Sequence, residues 1–252
     1  MPYSLKGRNV LVTGGSRGLG ARICVKFADE GANVAVNYAH GEERAREVVG
    51  RIETIGKGKG VLMRGDMGLE EDCISVVEET IKQLGGIDII ISNAGYTRFS
   101  TYSDLSTPTV SDWDLCHAIN IKAPFFLLRQ AMPHFKANPE GGAFIVTSSI
   151  AAVKNGGSCL PYSVSKAAQL HFVRGMAGSQ GVKLRINAVL PGWLRTEWGE
   201  KYTPEQVEEM NKIAWLGKPT DLDDCAQTFI DIAKNSSMTG QKIQVDSGLG
   251  HD

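Results

Sequence analysis

The sequence predicts an α/β fold, a doubly wound three-layer sandwich in which a seven-stranded parallel sheet carries helices on both faces. Three observations support this. Short apolar runs rich in Val and Ile recur along the 252 residues, longer amphipathic stretches separate them, and a glycine-rich turn at Thr13 to Gly20 closes the first run. Near-continuous apolar strands are what a sheet covered on both faces requires, because neither side meets water.

The expected strands are Asn9–Thr13, Asn33–Asn37, Val61–Arg64, Asp88–Ser92, Ala143–Thr147, Leu184–Leu190 and Lys242–Val245. Between the third and fourth, Ile74, Val77, Ile81 and Leu84 fall at steps of three and four, the apolar stripe of a helix laid on the sheet, and Gly85-Gly86 stops it. Asp112–Phe135 and Leu160–Met176 read as long helices after strands four and five; Gly178 and Gly181 predict an early end for the second. The opening βαβαβ order predicts right-handed crossovers and strand order 3-2-1, with the remainder added beyond the first strand. Ligands of such sheets bind outside the carboxyl ends of the strands, where the order reverses. No repeat, linker or low-complexity tract divides the chain, so one domain over residues 1–252 is expected.

Composition narrows the function. The chain is 42% hydrophobic and 22% charged with a net charge of −1 and no block of either sign, which argues against nucleic acid or an anionic membrane as partner and points to a small molecule. No stretch reads as a signal peptide and no run reaches membrane-spanning length. Cys24, Cys73, Cys116, Cys159 and Cys225 lack metal or redox-pair spacing, so reduced thiols in a cytoplasmic setting are expected. His40, His117, His134, His171 and His251 never fall at metal-binding spacing, and no metal is expected.

The glycine turn has a chemical meaning. Gly14, Gly18 and Gly20 follow the first strand and open a helix, so backbone can approach a pyrophosphate while the helix N-terminus offers free N–H groups. A dinucleotide fits such a Rossmann-type turn, which has Ser16, Arg17 and Leu19 inside it; a tight strand-to-helix connection is the competing reading. At the end of strand two, where an NAD-preferring site carries a carboxylate for the ribose hydroxyls, stand Tyr38, Ala39 and His40. With no acid there to repel a 2′-phosphate, and Arg17 available to pair with one, NADP(H) is the expected cofactor. Arg17 as a solvated helix-start residue is the competing reading. Asp66, with Met67 beside it after strand three, is expected near the adenine, or else serves as a helix cap.

Tyr162 and Lys166 are four residues apart, which puts a phenol and an amine on one helix face, and Ser149 lies thirteen residues before the tyrosine, just past strand five. The set suits proton transfer to or from a carbonyl oxygen. Ser148 competes with Ser149 for the hydroxyl role.

From about Lys6 to Leu249 the chain resembles the short-chain dehydrogenase/reductase family, of the compact single-domain type. The marks, in order, are TGGSRGLG at 13–20, Asn93-Ala94-Gly95 after strand four, Asn120, Ser149, and Tyr162 with Lys166; Pro191-Gly192 through Thr196 and the closing TGQKIQVDSG at 239–248 complete them. Ser92 stands where that pattern often has a further Asn, and the Tyr96–Asp112 segment is slightly long. The resemblance implies that Tyr162 is the general acid or base and that Lys166⁺ lowers its pKa and bonds the nicotinamide ribose. It further implies that Ser149 holds the substrate oxygen and that Asn120 anchors a water or bonds a kinked helix backbone. Asn93, Ala94, Gly95, Pro191, Gly192, Leu194 and Thr196 would line the cofactor.

The resemblance also implies a homotetramer or homodimer built on the Tyr162 helix and its neighbour, and a cover over the substrate at about 193–216. There Trp193, Trp198, Trp215 and Tyr202 suggest a bulky, flat or apolar ketone; packing against the body is the other reading of these rings. The expected activity is an NADPH-dependent ketone reductase. An alcohol dehydrogenase, a 3-oxoacyl thioester reductase and a non-enzymatic NADP-binding scaffold are the alternatives.

Overall fold

The fold was established from a computed structural model, which describes residues 3–250; His251 lies outside them. In chain order the elements are β1 (Asn9–Val12), α1 (Gly18–Asp29), β2 (Asn33–Tyr38), α2 (Glu42–Ile55), β3 (Gly60–Arg64), α3 (Glu70–Leu84), β4 (Ile89–Ser92), α4 (Val110–Leu115), α5 (Ala123–Ala137), β5 (Gly142–Thr147), α6 (Leu160–Gln180), β6 (Leu184–Pro191), α7 (Pro204–Ile213), α8 (Leu222–Lys234) and β7 (Lys242–Val245). The strands form one seven-stranded sheet in the order β3-β2-β1-β4-β5-β6-β7. Every pairing is parallel, with β1 joined to both β2 and β4. The reversal of order therefore falls between β1 and β4, as the βαβαβ reading requires.

Alternation along the strands builds two cores. Val10, Val12, Val34, Val36, Ile89 and Ile91 face α1, α2 and α8, where Phe27, Ile52 and Phe229 close the layer. Leu11, Ala35, Ile90, Phe144 and Val146 point the opposite way, against Val76 and Val77 of α3, Leu127 and Phe135 of α5 and Val173 of α6. Both faces of the central strands are dry, which is why they read as unbroken apolar runs.

The helices depart from the sequence reading in three places. The face of α3 that is fully buried is Cys73, Val76, Val77 and Thr80; Ile81 and Leu84 pack at its margin, one step round from the expected stripe. The helix expected over Asp112–Phe135 is α4 and α5 joined by a π-helical turn, Cys116–Lys122. The third departure is α6, which runs on past Met176 to Gln180 despite Gly175 and Gly178. Leu170, Phe172, Val173, Met176 and Ala177 all pack on the sheet, and tertiary packing of that face outweighs the glycine penalty of ~1 kcal/mol per residue.

The long segment after β4 is held by a buried acid. Asp112 accepts from Arg98 Nε at 2.8 Å and Nη2 at 2.7 Å, and completes a reciprocal cap with Thr109 at the start of α4. Arg98 is the chief cause that holds the Asp112 carboxyl far below the usual carboxylate range, with the Thr109 bonds adding to it. Among the described residues no helix is long and apolar enough to cross a membrane.

A carboxyl whose folded pKa is depressed contributes stability above its unfolded value of 3.8 and loses that contribution as pH falls. Asp112→Asn is expected to cost about 1–3 kcal/mol in urea denaturation at pH 7. The deficit relative to the parent protein should shrink below pH ~4.

Candidate active site

The carboxyl ends of β1, β2 and β4 meet around the glycine turn. Thr13 is fully buried, and its Oγ1 accepts the N–H groups of Asn93 (2.9 Å) and Ala94 (3.0 Å). Asn93 Nδ2 donates back to the Thr13 carbonyl at 3.0 Å, and Thr147 Oγ1 donates to Asn93 Oδ1 at 3.2 Å, so three strand ends are tied in one network. Asn37, which the sequence reading passed over, is 1% exposed on β2; its amide donates to the carbonyls of Met63 and Gly65 and accepts the Gly14 N–H at 3.1 Å. An Asn inside an otherwise apolar strand was the available signal.

The turn has the shape of a cradle. A Cβ on Gly20 would lie 2.2 Å from the Gly14 carbonyl oxygen, one on Gly14 would lie 3.1 Å from Ala94 Cα, and Gly14 and Gly18 both hold positive φ. Helix α1 starts with no side-chain cap and no acid in its first turn, which leaves its N–H groups free to serve an anion. The backbone and donor set thus fit a dinucleotide pyrophosphate. Ser16 lines the turn, half-buried, while Leu19 and Met67 are buried in the two cores and offer a ligand only their backbone. Asp66 does not cap α3, whose N-cap is Leu69; its Oδ1 accepts the Gly68 N–H at 2.8 Å.

An acid does stand near the end of β2. Glu42, in the first turn of α2, lies against the Tyr38 hydroxyl, but Arg46 Nε donates to it at 3.0 Å, and these partners hold its carboxyl below the usual range, Arg46 first. Tyr38 itself is buried, and His40 is exposed. Arg17 does not stand free: its Nη1 donates to Glu197 at 2.7 Å, and Arg44 Nη1 donates to the same carboxylate at 2.8 and 2.9 Å. Arg44 and Glu197 were absent from the sequence reading.

Across the reversal, at the end of β5, the candidate catalytic side chains meet. Lys166 is 2% exposed, and its Nζ donates to the Thr147 carbonyl at 2.8 Å while lying 5.4 Å from the centre of the Tyr162 ring. Ser148 is buried and donates from Oγ to the Lys166 carbonyl at 3.0 Å, which commits it to the helix backbone. Ser149 is the hydroxyl that stands beside the Tyr162 phenol and acts to lower its pKa. Its Oγ also accepts the Ala151 N–H at 3.1 Å, at the head of a short 3₁₀ turn over Ile150–Ala152.

Asn120 sits in the π turn, fully buried. Its Oδ1 accepts the Tyr96 N–H at 2.8 Å, its Nδ2 donates to the Tyr96 carbonyl and to Ser165 Oγ, and its own backbone carbonyl accepts from Gln169 Nε2 at 2.6 Å. The widened helix turn leaves that carbonyl accessible to Gln169, which accounts for the π geometry. A Cβ on Gly95 would fall 3.5 Å from Asn120 Oδ1, 3.6 Å from Lys166 Nζ and 3.8 Å from the Trp198 ring, so glycine keeps open the space between them.

Burial dominates the charge balance of this pair. Burial pushes the Tyr162 phenol well up, with the Ser149 hydrogen bond opposing it, and Lys166 contributes no resolved lowering. Burial also pulls the Lys166 amine down to about 7. Both groups share one dry crevice, and the amine's bond goes to the Thr147 carbonyl, so desolvation outweighs the mutual effect.

The aromatic residues of the cover segment do not form one cluster. Trp198 lies 6.0 Å from Tyr162, centre to centre, and Tyr202 meets Phe99 edge-on at 4.9 Å, a partner the sequence reading missed. Trp193 packs instead against Ile150, Ala214 and Leu249, and Trp215 is 74% exposed. Thr196 rests against Gly18, and the Leu194 carbonyl accepts the Thr196 N–H at 2.9 Å beside a bridge from Leu194 to Thr220. Gly192, following Pro191 at the end of β6, donates its N–H to Val245 and has no room for a side chain beside Asp246 and Thr220.

Comparison with known proteins matches residues 14–250 to the family described as enoyl-(acyl carrier protein) reductase. Versicolorin reductase 1 of Aspergillus parasiticus is 36% identical, covering 98% of this chain and 97% of its own length. Tetrahydroxynaphthalene reductase of Pyricularia oryzae is 32% identical, over 97% of this chain and 90% of its own. A short chain dehydrogenase of Burkholderia cenocepacia, solved in complex with NADP, superposes with a TM-score of 0.91 at 28% identity, covering 99% of this chain and 100% of that one.

The buried amine has a measurable consequence. A lysine whose folded pKa is lowered from 10.5 to about 7 binds fewer protons folded than unfolded across that window, so stability rises with pH between those values. Lys166→Met should flatten that rise, read as urea midpoints at pH 7, 8 and 9. An equally steep rise in the variant would show that the amine is not desolvated.

Proposed function

The chain belongs to the short-chain dehydrogenase/reductase family, and from that premise we propose that it is an NADPH-dependent reductase that converts a bulky or aromatic ketone to a secondary alcohol. As a member of this family it is an oxidoreductase acting on CH–OH and C=O groups. The observation that carries the finer reading is the convergence of Ser149, Tyr162 and Lys166 at the end of β5. In reduction the phenol is the acid at the carbonyl oxygen, and in alcohol oxidation the same residue is the base, so the three side chains suit hydride transfer at a carbonyl.

NADPH, when bound, supplies the hydride for the carbonyl carbon. Ser149 donates a hydrogen bond to the substrate oxygen and stabilises the charge that grows there. The Tyr162 O–H transfers its proton to that same oxygen. The Lys166 amine, with a pKa of about 7, exchanges protons readily at neutral pH and restores the phenol, with Asn120 holding the surrounding backbone. Gly14, Ser16, Gly18, Leu19, Gly20 and Arg17 would hold the phosphates. Tyr38, His40, Asp66 and Met67 would flank the adenosine, and Asn93, Ala94, Gly95, Pro191, Gly192, Leu194 and Thr196 the nicotinamide end. NADP over NAD is supported by the neutralised Glu42, by Arg17, and by the NADP-bound relative.

The substrate class rests on the rings above the crevice. Trp198 over Tyr162 and the Phe99–Tyr202 pair offer aromatic faces to a flat ketone, and one relative's name specifies a naphthalene. A carrier-bound thioester would need a basic docking surface that a near-neutral chain of net charge −1 does not favour. The exposed Leu115, Phe125 and Val164 support the expected dimer or tetramer, and five buried, unpaired cysteines support the expected cytoplasmic setting.

With an aromatic ketone, Tyr162→Phe should retain NADPH binding while kcat falls by about 10²–10⁴-fold, as measured by NADPH absorbance and fluorescence titration. Unchanged turnover would remove Tyr162 from the chemistry. Trp198→Ala should raise KM for aromatic ketones by roughly five- to tenfold and leave small aliphatic ketones unaffected. A parent enzyme that reduces only small aliphatic ketones would contradict the substrate class.

A further inference from the structure

In the bridge Arg17–Glu197–Arg44, Arg44 and Glu197 have no role in the chemistry above. Arg17 is the N-cap of α1, inside the glycine turn; Arg44 is the third residue of α2, just after the strand whose end flanks the ribose in this type of crevice. Two guanidinium groups from separate elements are aimed at one point, and a single carboxylate fills it, at 2.7 Å from Arg17 and 2.8–2.9 Å from Arg44. Two cations against one carboxylate leave an excess positive charge, which a dianion with three oxygens would satisfy better. We propose that Arg17 and Arg44 together form the site for the cofactor's 2′-phosphate, and that the Glu197 carboxylate is an intramolecular competitor which the phosphate must displace. This rests on the NADP(H) reading and assigns Arg44 and Glu197 roles in setting its strength.

Three further observations support the exchange. All three side chains are about half-exposed, at 59% for Arg17, 50% for Arg44 and 49% for Glu197, so the bridge is solvated and weakly held. The nearby acid Glu42 is already paired with Arg46, which leaves Arg44 without an acidic partner on its own helix turn. Glu197 directly precedes Trp198 and follows Thr196, which rests against Gly18, so the competitor belongs to the segment that covers the substrate. A cofactor lacking the 2′-phosphate has nothing to exchange for the carboxylate and leaves the bridge intact.

The test is calorimetric titration of the intact protein with NADP⁺, NAD⁺ and adenosine 2′,5′-bisphosphate, comparing the parent with Glu197→Gln and Arg44→Gln. Glu197→Gln should tighten NADP⁺ and the bisphosphate by about three- to fivefold and leave NAD⁺ unchanged. Arg44→Gln should weaken the same two ligands by about tenfold, again with NAD⁺ unchanged. NADP⁺ affinity unaltered or weakened in Glu197→Gln overturns the competitor; NADP⁺ affinity unaltered in Arg44→Gln overturns the two-arginine site. Either result leaves the NADP(H) reading standing if the parent still prefers NADP⁺. A parent that binds NAD⁺ more tightly refutes both.

Discussion

The Lys166 amine, buried and bonded to the Thr147 carbonyl, is the contact on which the rest of the site depends. It joins the end of β5 to the first turns of α6, and Ser148 returns the bond from strand to helix by donating to the Lys166 carbonyl. Two opposed hydrogen bonds fix both the rotation and the height of α6 against the sheet. Tyr162, one turn earlier on the same face, can then stand only beside Ser149. A second clamp, from Asn120 to Ser165 and from Gln169 to the Asn120 carbonyl, anchors the same helix to the π turn between α4 and α5. Buried polar groups of this kind cost free energy unless partners are supplied; here they come from three separate elements, and within the clamp Gln169 Oε1 is left without one.

That arrangement sets the chemistry through desolvation. Taking the phenol out of water favours its neutral form, and taking the amine out of water brings its pKa to about 7, so the pair can hold and pass a proton near neutral pH. The phosphate cradle on the other side of the reversal is built by the same means. Thr13, Asn37 and Asn93 place the glycine turn by hydrogen bonds between strand ends. Rigid strands hold the candidate catalytic groups, whereas the segment proposed as the cover, where α7 buries no residue, is only lightly attached.

Much of this was legible in the sequence, because apolar runs between covered sheets carry their own boundaries: each strand falls within about one residue of its expected place. The glycine turn and the Tyr162–Lys166 spacing were legible for the same reason, being local. Less legible was what long-range contacts decide. The π turn depends on Gln169 reaching Asn120 across 49 residues, and α6 persists through its glycines because the sheet beneath holds it. Arg44 and Glu197 lie 153 residues apart, so no local pattern links them. The tryptophans looked like a cluster because they are close in sequence, yet Trp193 packs on Ile150, Ala214 and Leu249, Trp198 lies by Tyr162, and Trp215 is exposed.

The central claim is direct hydride transfer to a carbonyl whose oxygen Tyr162 protonates. Reduction of an aromatic ketone with NADPH carrying deuterium on one face of nicotinamide C4, followed by mass spectrometry of the alcohol, tests it most directly. The account predicts one deuterium on the carbinol carbon from one labelled face and none from the other. Alcohol that carries no deuterium from either face would contradict it.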